Sequence, residues 1–369
     1  MSGASLSEAF GLRPEVQPSL WSGQRLAHRP VGYVERVLRG ATRPLWPHQT
    51  PQVLLVSASQ PRCSTPRGDN HIVKSLKNKA DYARKHGFAT WFSMEGFVDP
   101  PYHPPYHHRL RNKVMLLRHL LRTHSKHYDW LFWIDSDAII TDMSFRVPWD
   151  DYVLHGYSVV LWGSPSGLDS APSYQPSLST GVLLLRNDQY SREFLEAIVQ
   201  LWGEGEGEKY RDDGGGNRTA GDSIEEEVTV TDRRMVAGMP SSYLLSDQSS
   251  AIYLLATQRE RWLPRVFLEA RYHINRYWRE VSHDLERYYQ KGAWVGDGLD
   301  PPFIVHFCGC ALCWRRDSAQ LDECQAQHER TFHFADDQII KELGYRHRNL
   351  STPEIVSLDC HRRRRDIAR

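Results

Sequence analysis

The sequence predicts an α/β domain with a Rossmann-like, mostly parallel central sheet, and three observations carry that expectation. Short apolar runs alternate with amphipathic helical patterns from Val53 to Ile134, the strand-helix-strand order of a parallel sheet. The third run, Trp130-Leu131-Phe132-Trp133-Ile134, is unbroken, as expected for a strand covered on both faces. It ends abruptly in Asp135-Ser136-Asp137, two carboxylates at the carboxyl end of a buried strand, where open α/β sheets bind ligands.

Residues 1–50 mix Pro, Arg, Ser and Trp without a period and read as an irregular arm or stem. Val53 to Ser57 is the first strand, and Gly68-Asp69-Asn70 is a turn able to cap the helix that follows. In that helix Ile72, Val73, Leu76, Ala80 and Ala83 share a face, and Gly87 stops it just after His86. Phe88 to Met94 is a second strand, which makes a β-α-β unit and a parallel pair. The Pro/His/Tyr-rich stretch Asp99 to His108 reads as a loop over one end of the sheet. A second helix buries Val114, Leu117, Leu120 and Leu121 and leads into the Asp-x-Asp strand.

Val159 to Trp162 and Val182 to Leu185 are further strands, the latter entered through Ser179-Thr180-Gly181, and a helix with Phe194, Leu195, Ile198, Val199 and Trp202 on one side closes the unit. Residues from about 203 to 240 turn to Gly, Glu and Asp and read as a mobile insertion. Ser246-Asp247-Gln248-Ser249 opens a helix, with Asp247 either its cap or a functional carboxylate. Val266 to Glu269 and Pro302 to Phe307 are late strands. His306 ends the second of these just ahead of Gly309, which joins an imidazole to a permissive backbone. The folded domain spans residues 51–350, and 351–369 form a basic tail.

Forty-six basic and 45 acidic residues leave a net charge of +1, so no global field draws in nucleic acid or membrane, and any polyanion site is local. No run of 18 apolar residues and no signal-peptide core are found, which predicts no transmembrane segment in this chain. Four of the six cysteines fall between Cys308 and Cys324. They suit a disulfide staple better than a zinc site, because Cys310-x-x-Cys313 lacks a second pair at short spacing. The sequons Asn217-Arg218-Thr219 and Asn349-Leu350-Ser351 are compatible with a secretory compartment.

The spacing of Asp135 and Asp137 puts both side chains on one side of an extended chain, where they can grip one cation; capping a turn or simple solvation is the plainer use. A cation there would serve a nucleoside diphosphate, a poor leaving group until its charge is neutralised.

Taken together, Gly68-Asp69-Asn70-His71 with Lys74 to Tyr82, Trp133 to Met143, Ser179 to Asn187, Asp247-Gln248-Ser249, Pro302 to Cys310 and Arg330 to Gln338 resemble glycosyltransferase family 34 in the family's own order. That family contains plant xyloglucan xylosyltransferases and galactomannan galactosyltransferases, with fungal galactosyl- and mannosyltransferase relatives. The resemblance implies a GT-A fold, a UDP-sugar donor, Mn2+, an oligo- or polysaccharide acceptor and an α-linked product with retained configuration. It implies that Asp135, Asp137 and His306 hold the metal and that Asp135, Ser136 and Gly309 lie against the donor. Ser57, Asp81 and Tyr82 would contact the nucleoside, and Asp247 and Gln248 would position the sugar and stabilise charge at its anomeric carbon. It also implies residence in the Golgi lumen or membrane and association with copies of itself or other transferases. The chain departs from the plant pattern at Ser179, Ser246 and Ala311, with Arg315 or Arg316 able to replace the phosphate-binding cation missing at 311. Those departures make a non-catalytic partner in a transferase complex the alternative reading.

Overall fold

The central sheet has six strands, in the spatial order β2 (Ala89–Ser93), β1 (Val53–Ala58), β3 (Trp130–Ile134), β6 (Leu178–Arg186), β5 (Val159–Gly163) and β7 (Val266–Glu269). In this computed structural model the described residues are 51–59, 63, 65–94, 112–124, 126–169, 178–202, 246–285, 302–310, 312–313 and 319–358. The N-terminal arm, the 99–108 loop, the 203–240 insertion, Asn217, Ala311, Arg315, Arg316 and the basic residues of the tail lie outside them.

β1 (Val53–Ala58) pairs in parallel with β2 (Ala89–Ser93) and β3 (Trp130–Ile134), as the β-α-β pattern predicts. β5 (Val159–Gly163) is parallel to β7 (Val266–Glu269), while β6 (Leu178–Arg186) runs against both β3 and β5. One reversed strand within an otherwise parallel sheet, with a small second sheet beside it, is the GT-A plan. The apolar runs are unbroken because both faces are covered. From β3, Trp130, Phe132 and Ile134 enter one core cluster, and Leu131 and Trp133 enter the other. Each such burial stabilises the fold by about 1.5–3 kcal/mol before chain entropy is counted.

α1 (Pro66–His86) covers the first face. Its cap is Thr65, whose hydroxyl accepts from Gly68 N at 3.1 Å, with Pro66 at the first helical position. Gly68-Asp69-Asn70 is therefore the first helical turn, not a turn ahead of the helix, and Gly68 is wanted there for close approach to Cys63 and the Leu312 carbonyl. Gly87, at φ 71°, ends the helix as expected. α2 (Asn112–Thr123), α3 (Gln189–Leu201) and α4 (Asp247–Thr257) cover the opposite face.

A second, three-stranded sheet is the feature that the sequence pattern did not reveal. β4 (Ala138–Ile140) follows the Asp-x-Asp turn and pairs antiparallel with β9 (Ile304–His306), in the register Ala138↔His306, Ile139↔Val305 and Ile140↔Ile304. β8 (Arg276–Tyr277) lies parallel to β9 on its other side. β9 is shorter than the Pro302 to Phe307 run, since Thr141 and Asp142 bond to the Phe303 carbonyl outside regular ladder geometry.

α5 (Ala319–Ile340) packs on α1, and the hairpin β10 (Tyr345–His347) and β11 (Ile355–Ser357) is pinned to it by His347 N donating to Asp337 Oδ1 at 2.6 Å. Two disulfides, Cys63–Cys313 and Cys310–Cys324, tie the segment after β9 to the start of α1 and to α5. Cys310 and Cys313 thus belong to different bridges and form no zinc half-site; Cys308 is the free cysteine among the described residues.

Candidate metal centre and the carboxylate beside it

Asp135, Asp137 and His306 converge, with ligand atoms all within 4.8 Å of one another. His306 Nε2 is 3.0 Å from Asp137 Oδ1 and 3.8 Å from Asp135 Oδ2. Ligand atoms that share one ion at about 2.1 Å stand roughly 3–4 Å apart, so this spacing fits a single cation. Two carboxylates and an imidazole suit Mn2+ better than Ca2+, which takes oxygen alone.

The β4–β9 register makes this happen. Ala138 opposite His306 brings the preceding Asp137 beside the imidazole, and Phe307 N donates to Asp137 O at 2.8 Å to lock the alignment. The other edge of β4 is closed by α1. Asn78 donates to Ile140 O and accepts from Ile140 N, both at 2.8 Å, as a neighbouring strand would. Ser75 Oγ donates to Ser136 O, and the fully buried Lys79 Nζ donates to Ala138 O at 2.8 Å. Burial brings Lys79 down to about 7 against the pull of Asp137 and Asp135. Glycine is required at 181 on β6, because a Cβ there would overlap the His306 ring.

Electrostatics tie the three groups together. Burial alone would raise the Asp137 carboxyl, but the His306 imidazole outweighs it and holds the carboxyl well below its usual range. Burial would lower His306, and Asp137 reverses that, so the imidazole is biased towards its charged form when no cation is bound. Asp135 is pushed up by burial, with Lys113 and His306 opposing.

Asp135 is approached from both faces of the sheet. On the α2 face Trp133 Nε1 donates to Asp135 Oδ1 at 2.6 Å and Lys113 Nζ donates to the same oxygen at 3.2 Å, while on the β9 face Oδ2 looks towards His306. Lys113 Nζ also lies 2.7 Å from Asp247 Oδ2 and donates to Thr180 O at 2.7 Å. Thr180 Oγ1 donates to Asp247 Oδ2 at 2.7 Å, and Gln248 Oε1 accepts from Thr180 N at 3.4 Å. Asp247 is not the helix cap. Ser246 is, in a reciprocal capping box with Ser249, which leaves the Asp247 carboxylate for the site. Burial would lower Lys113, but Asp135 and Asp247 keep it charged.

Of the sequence-predicted residues, the structure brings together Asp135, Ser136, Asp137, Asp247, Gln248 and His306. Gly309 sits in the turn after β9 at φ 80°, with open space around it. Ser57, Asp81 and Tyr82 do not join them. Ser57 is fully buried and donates to Ile134 O at 2.7 Å, joining β1 to β3. Tyr82 is fully buried beside Phe88, Phe132 and Phe303, and its hydroxyl donates to Phe145 O at 2.8 Å. Asp81 is held between Lys77 and Arg84, one turn beyond the part of α1 that supports the Asp-x-Asp turn. The Ser57 and Tyr82 hydroxyls are thus spent on backbone carbonyls inside the core, and the Asp81 carboxylate on two basic neighbours of its own helix.

Lys113 and Thr180 were missed. Lys113 had one local signal: it is a cation in the first turn of a helix with no acid there to balance it, a placement that the helix dipole disfavours unless carboxylates await it.

A profile of the galactosyl transferase GMA12/MNN10 family matches residues 49–157. Probable glycosyltransferase 5 of Oryza sativa subsp. japonica is 35% identical over 311 residues, covering 84% of this chain and 62% of that protein. Probable glycosyltransferase 3 of Oryza sativa subsp. indica is 32% identical over 95% of this chain and 68% of its own length. Xyloglucan 6-xylosyltransferase 1 of Arabidopsis thaliana is 32% identical, covering 83% of this chain and 60% of its own. The chain thus spans about three fifths of the first of these relatives. Among solved structures, a glycosyltransferase involved in glycosylation of the major capsid of PBCV-1 aligns with a TM-score of 0.39 at 12% identity, over 75% of this chain and 98% of that one.

Proposed function

The chain belongs to glycosyltransferase family 34, the galactosyl transferase GMA12/MNN10 family, and from that premise we propose that it is a retaining, Mn2+-dependent transferase. It moves xylose or galactose from a UDP-sugar to a polysaccharide hydroxyl in α-linkage, within the Golgi lumen. The observation that carries this reading is the meeting of Asp135, Asp137 and His306 beside an Asp247 that capping has not consumed. The relatives named for xyloglucan xylosyl transfer support the substrate class.

Asp135, Asp137 and His306 would hold the ion, which when bound neutralises the departing diphosphate. Gly309 opens the backbone beside that group. Asp247 lies on the sugar side, its Oδ2 held by Lys113 and Thr180, and it stabilises the positive charge that grows at the anomeric carbon as the bond to phosphate lengthens. Gln248, anchored on Thr180, orients the sugar. Lys113 holds the Asp247 carboxylate in place before substrate arrives, which is the preorganisation that makes such a charge effective. Ser246 in place of an acid costs the helix nothing, since it serves as the cap.

Incubation with UDP-xylose or UDP-galactose and cello- or manno-oligosaccharides, with and without Mn2+, tests the proposal. Mn2+-dependent transfer is expected for one pairing. Absence of both transfer and donor hydrolysis in every pairing, together with no UDP binding by calorimetry, would instead select the non-catalytic partner role.

A further inference from the structure

We propose that Asn349 is an N-glycosylation site whose glycan projects into solvent from the loop between β10 and β11. The sequon Asn349-Leu350-Ser351 has no proline in its middle position. Sequons recur by chance, so the weight rests on how the fold presents this one.

The loop is closed at its base by Arg348 N donating to Glu354 O at 2.7 Å. Leu350 is buried against Leu285 and Phe334, with its carbonyl 2.8 Å from His333 Nδ1. This anchor turns its neighbours outward, and Asn349 and Ser351 are both exposed. The Asn349 carboxamide is used asymmetrically. Its Oδ1 accepts from Ser351 N at 2.9 Å and from Thr352 Oγ1 at 3.3 Å, an Asx turn, while Nδ2 makes no hydrogen bond among the described residues. The fold spends the oxygen and leaves the nitrogen, so a substituent on Nδ2 of this exposed residue costs no hydrogen bond within the fold.

The compartment agrees. Cys63–Cys313 and Cys310–Cys324 link parts of the chain 250 and 14 residues apart, and such bridges form in oxidising lumens, where N-glycan transfer also takes place. In that transfer the bond between the anomeric carbon of an oligosaccharide and its lipid-diphosphate carrier breaks, a carbon–nitrogen bond forms at Asn349 Nδ2, and the amide gives up one proton to balance the released lipid diphosphate. The same hairpin exposes Tyr345 and Ile355, at 48% and 51%, and a hydrated glycan beside them limits their association with other apolar surfaces. None of this rests on the transferase reading.

The test routes the full chain into the endoplasmic reticulum lumen of a eukaryotic host, digests the recovered protein with a peptide-N-glycosidase in heavy-oxygen water, and sequences its peptides by mass spectrometry. Asn349 is expected as aspartate bearing one heavy oxygen, with the mark lost in Ser351→Ala and kept in Ser351→Thr; neither variant alters Asn349 itself. An unmarked Asn349 peptide in the unsubstituted chain overturns the proposal, whatever the state of Asn217. So does a mark that survives Ser351→Ala.

Discussion

Lys113 Nζ and Asp247 Oδ2 stand 2.7 Å apart, although β3, β4, β5 and the reversed β6 separate α2 from α4 in sequence. The pair is nearly buried, and Asp135 and the Thr180 carbonyl complete its surroundings. Removing one partner of such a pair costs about 3–5 kcal/mol, because the other charge stays buried without compensation. Lys113→Met is therefore expected to lower the urea midpoint and to cut kcat by about a hundredfold, the rate equivalent of roughly 3 kcal/mol. Lys113→Arg restores stability more than rate, since a planar fork does not reproduce one point charge between two carboxylates. A Lys113→Met protein with undiminished kcat would remove Lys113 from the site.

Gly181 and His306 make a second test. Gly181→Ala forces the imidazole away from Asp137 while leaving every ligand residue in the sequence, so calorimetric Mn2+ affinity should fall by about ten- to a hundredfold while circular dichroism is unchanged. Asp137→Asn should fall at least as far. Unchanged affinity in both would show that the ion binds elsewhere.

Acid should weaken the fold through His71. Burial holds its imidazole at about 4, partly against Asp137, and His328 packs edge-on at 4.1 Å with its own value also depressed by burial. The unfolded chain then takes up the proton first as pH falls. Stability from this site is complete above about pH 6.5 and is lost progressively down to about pH 4, a loss of up to about 3 kcal/mol. Urea midpoints measured from about pH 7.5 to about pH 5 should decline, and His71→Gln should flatten the decline. Equal slopes in both proteins would assign the acid sensitivity to other groups.

Cys63–Cys313 closes a loop of 250 residues, and losing a native bridge costs about 2–5 kcal/mol. Paired Cys63→Ser and Cys313→Ser substitutions should lower the unfolding free energy by that amount. They should also weaken UDP binding, because the bridge anchors the turn that carries Gly309. Cys308→Ser, at the free cysteine, should do neither.

Local chemistry made the strands legible. β3 appears at the predicted residues because a run covered on both faces needs no partner to announce it, and the Gly87 stop follows from backbone sterics alone. The same locality is silent on the surroundings of Tyr82, where a motif on a helix looks alike whether its side chain faces a ligand or a core. Only packing against Phe132 and Phe303 decides. It also hid Lys113, whose partners lie 22 and 134 residues further along the chain.

By itself the sequence determined the α/β order, the two acids at a strand end, a histidine ending a late strand, and the family to which all of these belong. The tertiary structure alone decided that Ala138 would face His306, that α1 would brace the turn between the acids, and that a lysine would bridge Asp135 to Asp247. The reason is register. A three-residue strand carries too little pattern to specify its partner, whose His306 lies 168 residues beyond Ala138, so that pairing is set by how the two cores and the disulfides pack around it.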